Sequence, residues 1–94
     1  MMIRPTVVNL KRDKYTLYIG RGSKWGNPYK IDKDNSREDV LKKYRVYISN
    51  KIDENPVTYD LSELLGQILG CYCKPLDCHG DILIQIMEEK GLIS

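Results

Sequence analysis

Short β-branched runs and stretches with helical spacing alternate along the chain. After Pro5, the run Thr6–Leu10 reads as a first strand. Tyr15–Ile19 reads as a second. It is apolar on both faces, with Tyr15, Leu17 and Ile19 on one side and Thr16 and Tyr18 on the other. Such a strand belongs inside a covered sheet. The charged turn Lys11–Lys14 between the two runs is compatible with a hairpin. Gly20–Asn35 then forms a long loop. Ser36 caps a helix, supported by Asp39 three residues on, and Val40, Leu41, Tyr44, Tyr47, Ile48 and Ile52 recur on one face. Asn55-Pro56 ends that helix.

Asp60 caps a short second helix, with Glu63 completing a pattern like a capping box and Leu61, Leu64, Leu65 and Ile68 as its buried stripe. Gly70 marks a change, and Leu69–Cys73 reads as a third strand leading into the loop Lys74–His79. Asp81–Glu89 is the last helix, with Ile82, Leu83, Ile86 and Met87 inward; Lys90-Gly91-Leu92 is its stop. The order β-β-α-α-β-α predicts one α/β domain over residues 1–94, a sheet with helices in two or three layers. α/β proteins tend to place ligands where a strand ends in a polar loop before a helix, as the last strand does here.

With 94 residues, a deep pocket is hard to enclose within one protomer, so a homo-oligomer is expected. The 41% hydrophobic and 30% charged residues are those of a folded chain rather than a disordered one. A net charge of +2 falls short of the basic excess usual in nucleic-acid binders, without excluding nucleic acid. The Lys11, Arg12 and Lys14 cluster, interrupted by Asp13, reads as a solvated turn. A small anionic ligand needs only two or three placed cations. The sequence holds no apolar run long enough for a membrane span, and Met1–Thr6 has no signal core, so a cytoplasmic protein is expected. Three cysteines crowded between Cys71 and Cys78 are a poor disulfide framework and fit a reducing compartment.

Two loops carry the candidate chemistry. In the first, Gly20, Gly22 and Gly26 permit close backbone approach, Arg21 and Lys24 supply cations, Ser23 a hydroxyl and Asn27 an amide. Trp25 is either a platform for a flat base or a plug in the core, and Arg21 serves either a ligand phosphate or a structural carboxylate. The glycine spacing is not that of a P-loop or dinucleotide fingerprint. The second loop holds Cys71, Cys73, Cys78 and the single histidine, His79. Zinc is a candidate cofactor on those four residues, but one residue between Cys71 and Cys73, and none between Cys78 and His79, is poor spacing for a structural site. Cys78 just before the last helix is a candidate nucleophile, with His79 or Asp81 in acid–base work. Cys71 and Cys73 share a strand face and read equally as small core residues. Lys74 adds a cation, and the helix start at His79 and Gly80 presents N–H groups that suit an anion.

Taken together, Tyr-Ile-Gly-Arg-x-Ser-x-Trp-Gly-Asn-Pro from Tyr18 and Cys-x-Cys-x-Pro-x-x-Cys-His-Gly-Asp from Cys71 resemble domain-of-unknown-function family 4326 of short bacteriophage and bacterial proteins. The resemblance spans Leu17 to Glu89. Its signature positions match Arg21, Ser23, Trp25, Gly26, Asn27, Cys73, Pro75, Cys78, His79 and Gly80. The family often has Pro at the place of Gly22 and Trp at that of Tyr72. The resemblance implies no particular activity; its phage setting is compatible with DNA modification, nucleotide metabolism or evasion of host defence.

The leading expectation is a binding protein for a nucleotide-like small molecule: Arg21 and Lys24 on phosphate, Trp25 or Tyr72 on the base, and the Cys78–Asp81 corner on ribose or phosphate. If phage-borne, it would work in the host cytoplasm, sequestering a nucleotide immune signal. The alternatives are an enzyme acting on a nucleotide or nucleobase through Cys78, His79 and Asp81, and a zinc-stabilised module that binds a host protein.

Overall fold

A computed structural model of the chain describes residues 4–72 and 78–93. Three short strands, β1 (Thr6–Asn9), β2 (Leu17–Tyr18) and β3 (Ile68–Cys71), form an all-parallel sheet in the order β1-β3-β2. The strand last in sequence is thus central. Thr6 pairs with Ile68 and Asn9 with Cys71 on one side; Leu17 pairs with Leu69 and Tyr18 with Gly70 on the other. Backbone bonds from Thr16 to Ile68 and from Ile19 to Gly70 extend the β2 ladder at both ends. The expected hairpin between the first two strands does not form. The segment Leu10–Thr16 instead carries the chain across to the far edge of β3, folding first on Asn9, whose side chain accepts from Lys11 N while its carbonyl accepts from Arg12 and Asp13 N. Leu69, Gly70 and Cys71 are all buried, as a doubly flanked central strand requires.

Helix α1 (Arg37–Glu54) starts where its cap predicts. Ser36 accepts from Asp39 N, and the Asp39 carboxylate accepts from Ser36 N, a complete capping box. Val40, Tyr44, Ile48 and Ile52 form its buried stripe. The second helix is only a 3-10 turn, Leu61–Leu64, capped by Asp60 through Ser62 N. Glu63 does not close a box there; its carboxylate is taken up by the first loop, and Ile68 begins β3. Helix α2 (His79–Glu89) begins two residues earlier than its polar pattern suggests, with Cys78 as cap. Its end is a Schellman motif: Gly91 has φ +76°, Leu92 N bonds Met87 O and Gly91 N bonds Glu88 O.

Leu83, Ile86 and Met87 of α2 join Tyr44 and Ile48 of α1 and Ile19 and Leu69 of the sheet in one core. At its first turn α2 almost touches the strands: a Cβ on Gly80 would lie 2.9 Å from both Ile19 Cδ1 and Val7 Cγ2. Gly80 is therefore the point where helix meets sheet.

Candidate functional site

The carboxyl ends of β2 and β3 and the starts of α1 and α2 surround one cleft of about 360 Å³. Gly20 and Arg21 enter it from the end of β2, Tyr72 from the end of β3, Arg37 and Val40 from the start of α1, and His79 from the start of α2. Asn27, Tyr29, Lys30 and Ile31 close it from the first loop. The two polar loops do meet. Among the described residues lining the cleft there are three cations, Arg21, Lys30 and Arg37, and no carboxylate.

The first loop is held from several sides. Ser23 donates its hydroxyl to Gly20 O at 2.6 Å, and Gly26 N bonds Ser23 O. The Tyr18 hydroxyl donates to Arg21 O. A Cβ on Gly26 would lie 2.5 Å from the Gly20 carbonyl oxygen, so the loop closes on itself there. Trp25 is 2% exposed; its Nε1 donates to Glu63 at 2.7 Å, and its ring packs edge-on against Tyr59. The Tyr44 hydroxyl donates to Trp25 O at 2.6 Å. Of the two readings open for Trp25, burial supports the core plug, and a ring so enclosed cannot stack on a base. Lys24 turns the same way, its Nζ donating to Thr58 O and pairing with Glu63, both at 2.6 Å. Asn27 receives Tyr29 N on its side-chain oxygen and lines the cleft.

His79 forms the floor and is 6% exposed. Its Nε2 lies 2.5 Å from Ile19 O, so Nε2 carries the proton and donates. Nδ1 is then the acceptor, 3.8 Å from Cys78 Sγ. Burial lowers the imidazole pKa below its ordinary value, against the opposing influence of the Ile19 hydrogen bond and Asp81. The ring packs edge-on against Tyr44. Cys78 is fully buried; its sulfur accepts from Gly80 N and its own N donates to Asp81. The three residues considered for catalysis thus stand together, each engaged in starting α2 or tying it to β2. Gly80, expected to face a ligand, faces Ile19 and Val7 instead.

Cys71 and Cys78 meet in the core, with their Sγ atoms 2.6 Å apart. Among the described residues no three His, Cys, Asp or Glu side chains converge as a metal site. Cys73, Lys74 and Pro75 lie outside the described residues.

The sequence model of Domain of unknown function (DUF4326) matches residues 8–89. The chain belongs to this family. It is also 37% identical, over 85 residues, to the "Uncharacterized 12.4 kDa protein in nrdA-td intergenic region" of Enterobacteria phage T4, an alignment covering 88% of this chain and 77% of the phage protein. No solved structure matches. Among the described residues no helix is long and apolar enough to cross a membrane.

The described residues that carry the resemblance separate into two groups in this fold. Ser23, Trp25, Gly26, Cys78 and Gly80 build the loop and seat α2. Arg21, Asn27 and His79 face the cleft. Tyr29 and Lys30, at the end of the polar loop Gly20–Lys30, also line it without being individual candidates, and Ile31 and Arg37 lie beyond that loop. Arg37 carries no distinctive local signal, because the first turn of α1 also holds Glu38 and Asp39, which offset its charge at the helix start.

Proposed function

We propose that the protein binds a phosphate-bearing, nucleotide-like small molecule in the cleft. The observation that carries this reading is the lining itself: among the described residues it holds the cations Arg21, Lys30 and Arg37 and no carboxylate, beside two accessible tyrosines, Tyr29 and Tyr72. Phosphate suits Arg21, Lys30 and Arg37, because guanidinium groups bind it through paired N–H donors and lysine adds charge. Tyr72, 57% exposed, offers its ring to a base. Ile31, Val40 and Leu41 supply the apolar wall. The volume falls within the range of small-molecule sites, and the position at the carboxyl ends of parallel strands is where open α/β sheets bind ligands.

Binding is favoured over turnover because Cys78, His79 and Asp81 already have structural work. In a phage setting, retention of a nucleotide signal in the host cytoplasm, by a homo-oligomer that closes the cleft, is the biological form of this proposal. A thermal-shift panel of mono-, di- and cyclic nucleotides and dinucleotides, with matching nucleosides and inorganic phosphate, tests it. A nucleotide should raise Tm where its nucleoside does not; a flat response across the panel refutes the reading.

A further inference from the structure

We propose that Cys71 and Cys78 form a redox modification site, closing reversibly into an intramolecular disulfide. This goes beyond the binding reading and does not depend on it. Cys71 is the last residue of β3 and Cys78 the cap of α2; both are thiols and fully buried, with their sulfurs 2.6 Å apart. Ordered structure holds each sulfur in place. Cys71 is in register with Asn9 and its carbonyl accepts from Leu10 N. Cys78 is fixed by Gly80 N on its sulfur and Asp81 on its own N–H. The encounter is therefore built by β3 and α2 themselves.

Because both sulfurs are covered, the fitting oxidant is small, such as hydrogen peroxide. Cys78 gives up its thiol proton, the thiolate attacks one peroxide oxygen, the O–O bond breaks, and a sulfenic acid and hydroxide form, the hydroxide taking up the released proton as water. The Cys71 thiol then attacks that sulfur and water leaves with the sulfenic oxygen. In sum, two thiols and one peroxide give one disulfide and two waters. The immediate chain neighbours of the pair, Tyr72 and His79, both line the cleft. The link would tie together the ends of two elements that form its wall. Intracellular disulfides, where they occur, are usually transient and redox-sensing, which is the role assigned here.

The test treats the purified full chain with hydrogen peroxide, alkylates remaining thiols and maps the products by mass spectrometry. The expected product has lost two hydrogens, is alkylated at one cysteine only, shows fragments linking 71 to 78, reverts with dithiothreitol, and melts about 10 °C or more higher than the reduced form. Cys73→Ser should still close the link and Cys71→Ser should not. Three alkylated cysteines after peroxide, a link through Cys73 or between chains, or thiol protection that disappears with a chelator would overturn the proposal. If Cys73→Ser fails to fold, the fragment map of the natural chain still decides.

Discussion

Tyr44 ties α1 to the first loop through one atom. Its side chain is fully buried, and its hydroxyl donates to the Trp25 carbonyl at 2.6 Å. Tyr44→Phe keeps the ring and its edge contact with His79 but leaves that carbonyl without this donor in the core. Losing one partner of a buried hydrogen bond costs about 1–3 kcal/mol. Phenylalanine is the more apolar residue, and the carbonyl has a single donor to lose, so the lower half of that range, about 1–2 kcal/mol, is expected. For a domain of this size each kcal/mol lowers Tm by roughly 4–8 °C. Tyr47→Phe is the matched control. Its ring centroid lies 6.2 Å from that of Tyr44, it is half-buried, and it makes no hydroxyl hydrogen bond among the described residues. Its change should stay within about 0.5 kcal/mol. Urea unfolding of both variants, with m-values unchanged, gives the comparison. Equal midpoints for the two would refute the view that the loop is pinned to α1 through Tyr44.

Gly26→Ala should be the most damaging small change in the first loop, costing about 2 kcal/mol or more, because its Cβ would meet backbone that cannot yield. Gly22→Ala meets no atom within 4 Å and should cost only about 1 kcal/mol, from its φ of +90°; thermal melts rank the two. Ser36→Ala removes one half of the α1 capping box and should cost about 1 kcal/mol in urea unfolding. The buried His79 makes stability depend on pH. Its folded pKa lies below the ordinary 6.5, so the unfolded chain binds the proton more readily. Stability is complete above about pH 6.5 and falls as pH drops below it, by at most about 1.4 kcal/mol per unit. His79→Gln should flatten that window. Asp32, Asp39 and Asp60, whose pKa values are lowered by hydrogen bonds from Asp34, Ser36 and Ser62, act only in the more acidic range below 3.8.

Much of the fold is legible because its signals are local. Ser36 with Asp39, Asn55 before Pro56, and Gly91 before Leu92 each mark a boundary within a few residues. Strand pairing is not local. Nothing near Lys11–Lys14 reports that Ile68–Cys71, over fifty residues on, will insert between the first two strands and make all three parallel. Trp25 shows the same limit: whether it faces core or solvent depends on Glu63 and Tyr59, distant in sequence. Glu63 read as part of a cap because only its spacing from Asp60 is visible along the chain. In the cleft, Arg21, Asn27 and His79 were found from loop composition. Tyr29 and Lys30 fall in the same polar loop without a local signal of their own, while Ile31 and Arg37 join the site only when α1 folds beside the end of β2. Ser23, Lys24 and Gly80 look equally functional in sequence, yet hold the scaffold.

The basic cleft is proposed to hold a phosphate-bearing ligand. Calorimetric titration of a nucleoside monophosphate into the natural chain and Arg21→Ala tests it most directly, since Arg21 lines the cleft with no side-chain partner among the described residues. Arg21→Ala should fold normally and its Kd should rise about tenfold or more, the loss of a charge-assisted hydrogen bond. Equal affinity in the two proteins, or no binding to either, would contradict it.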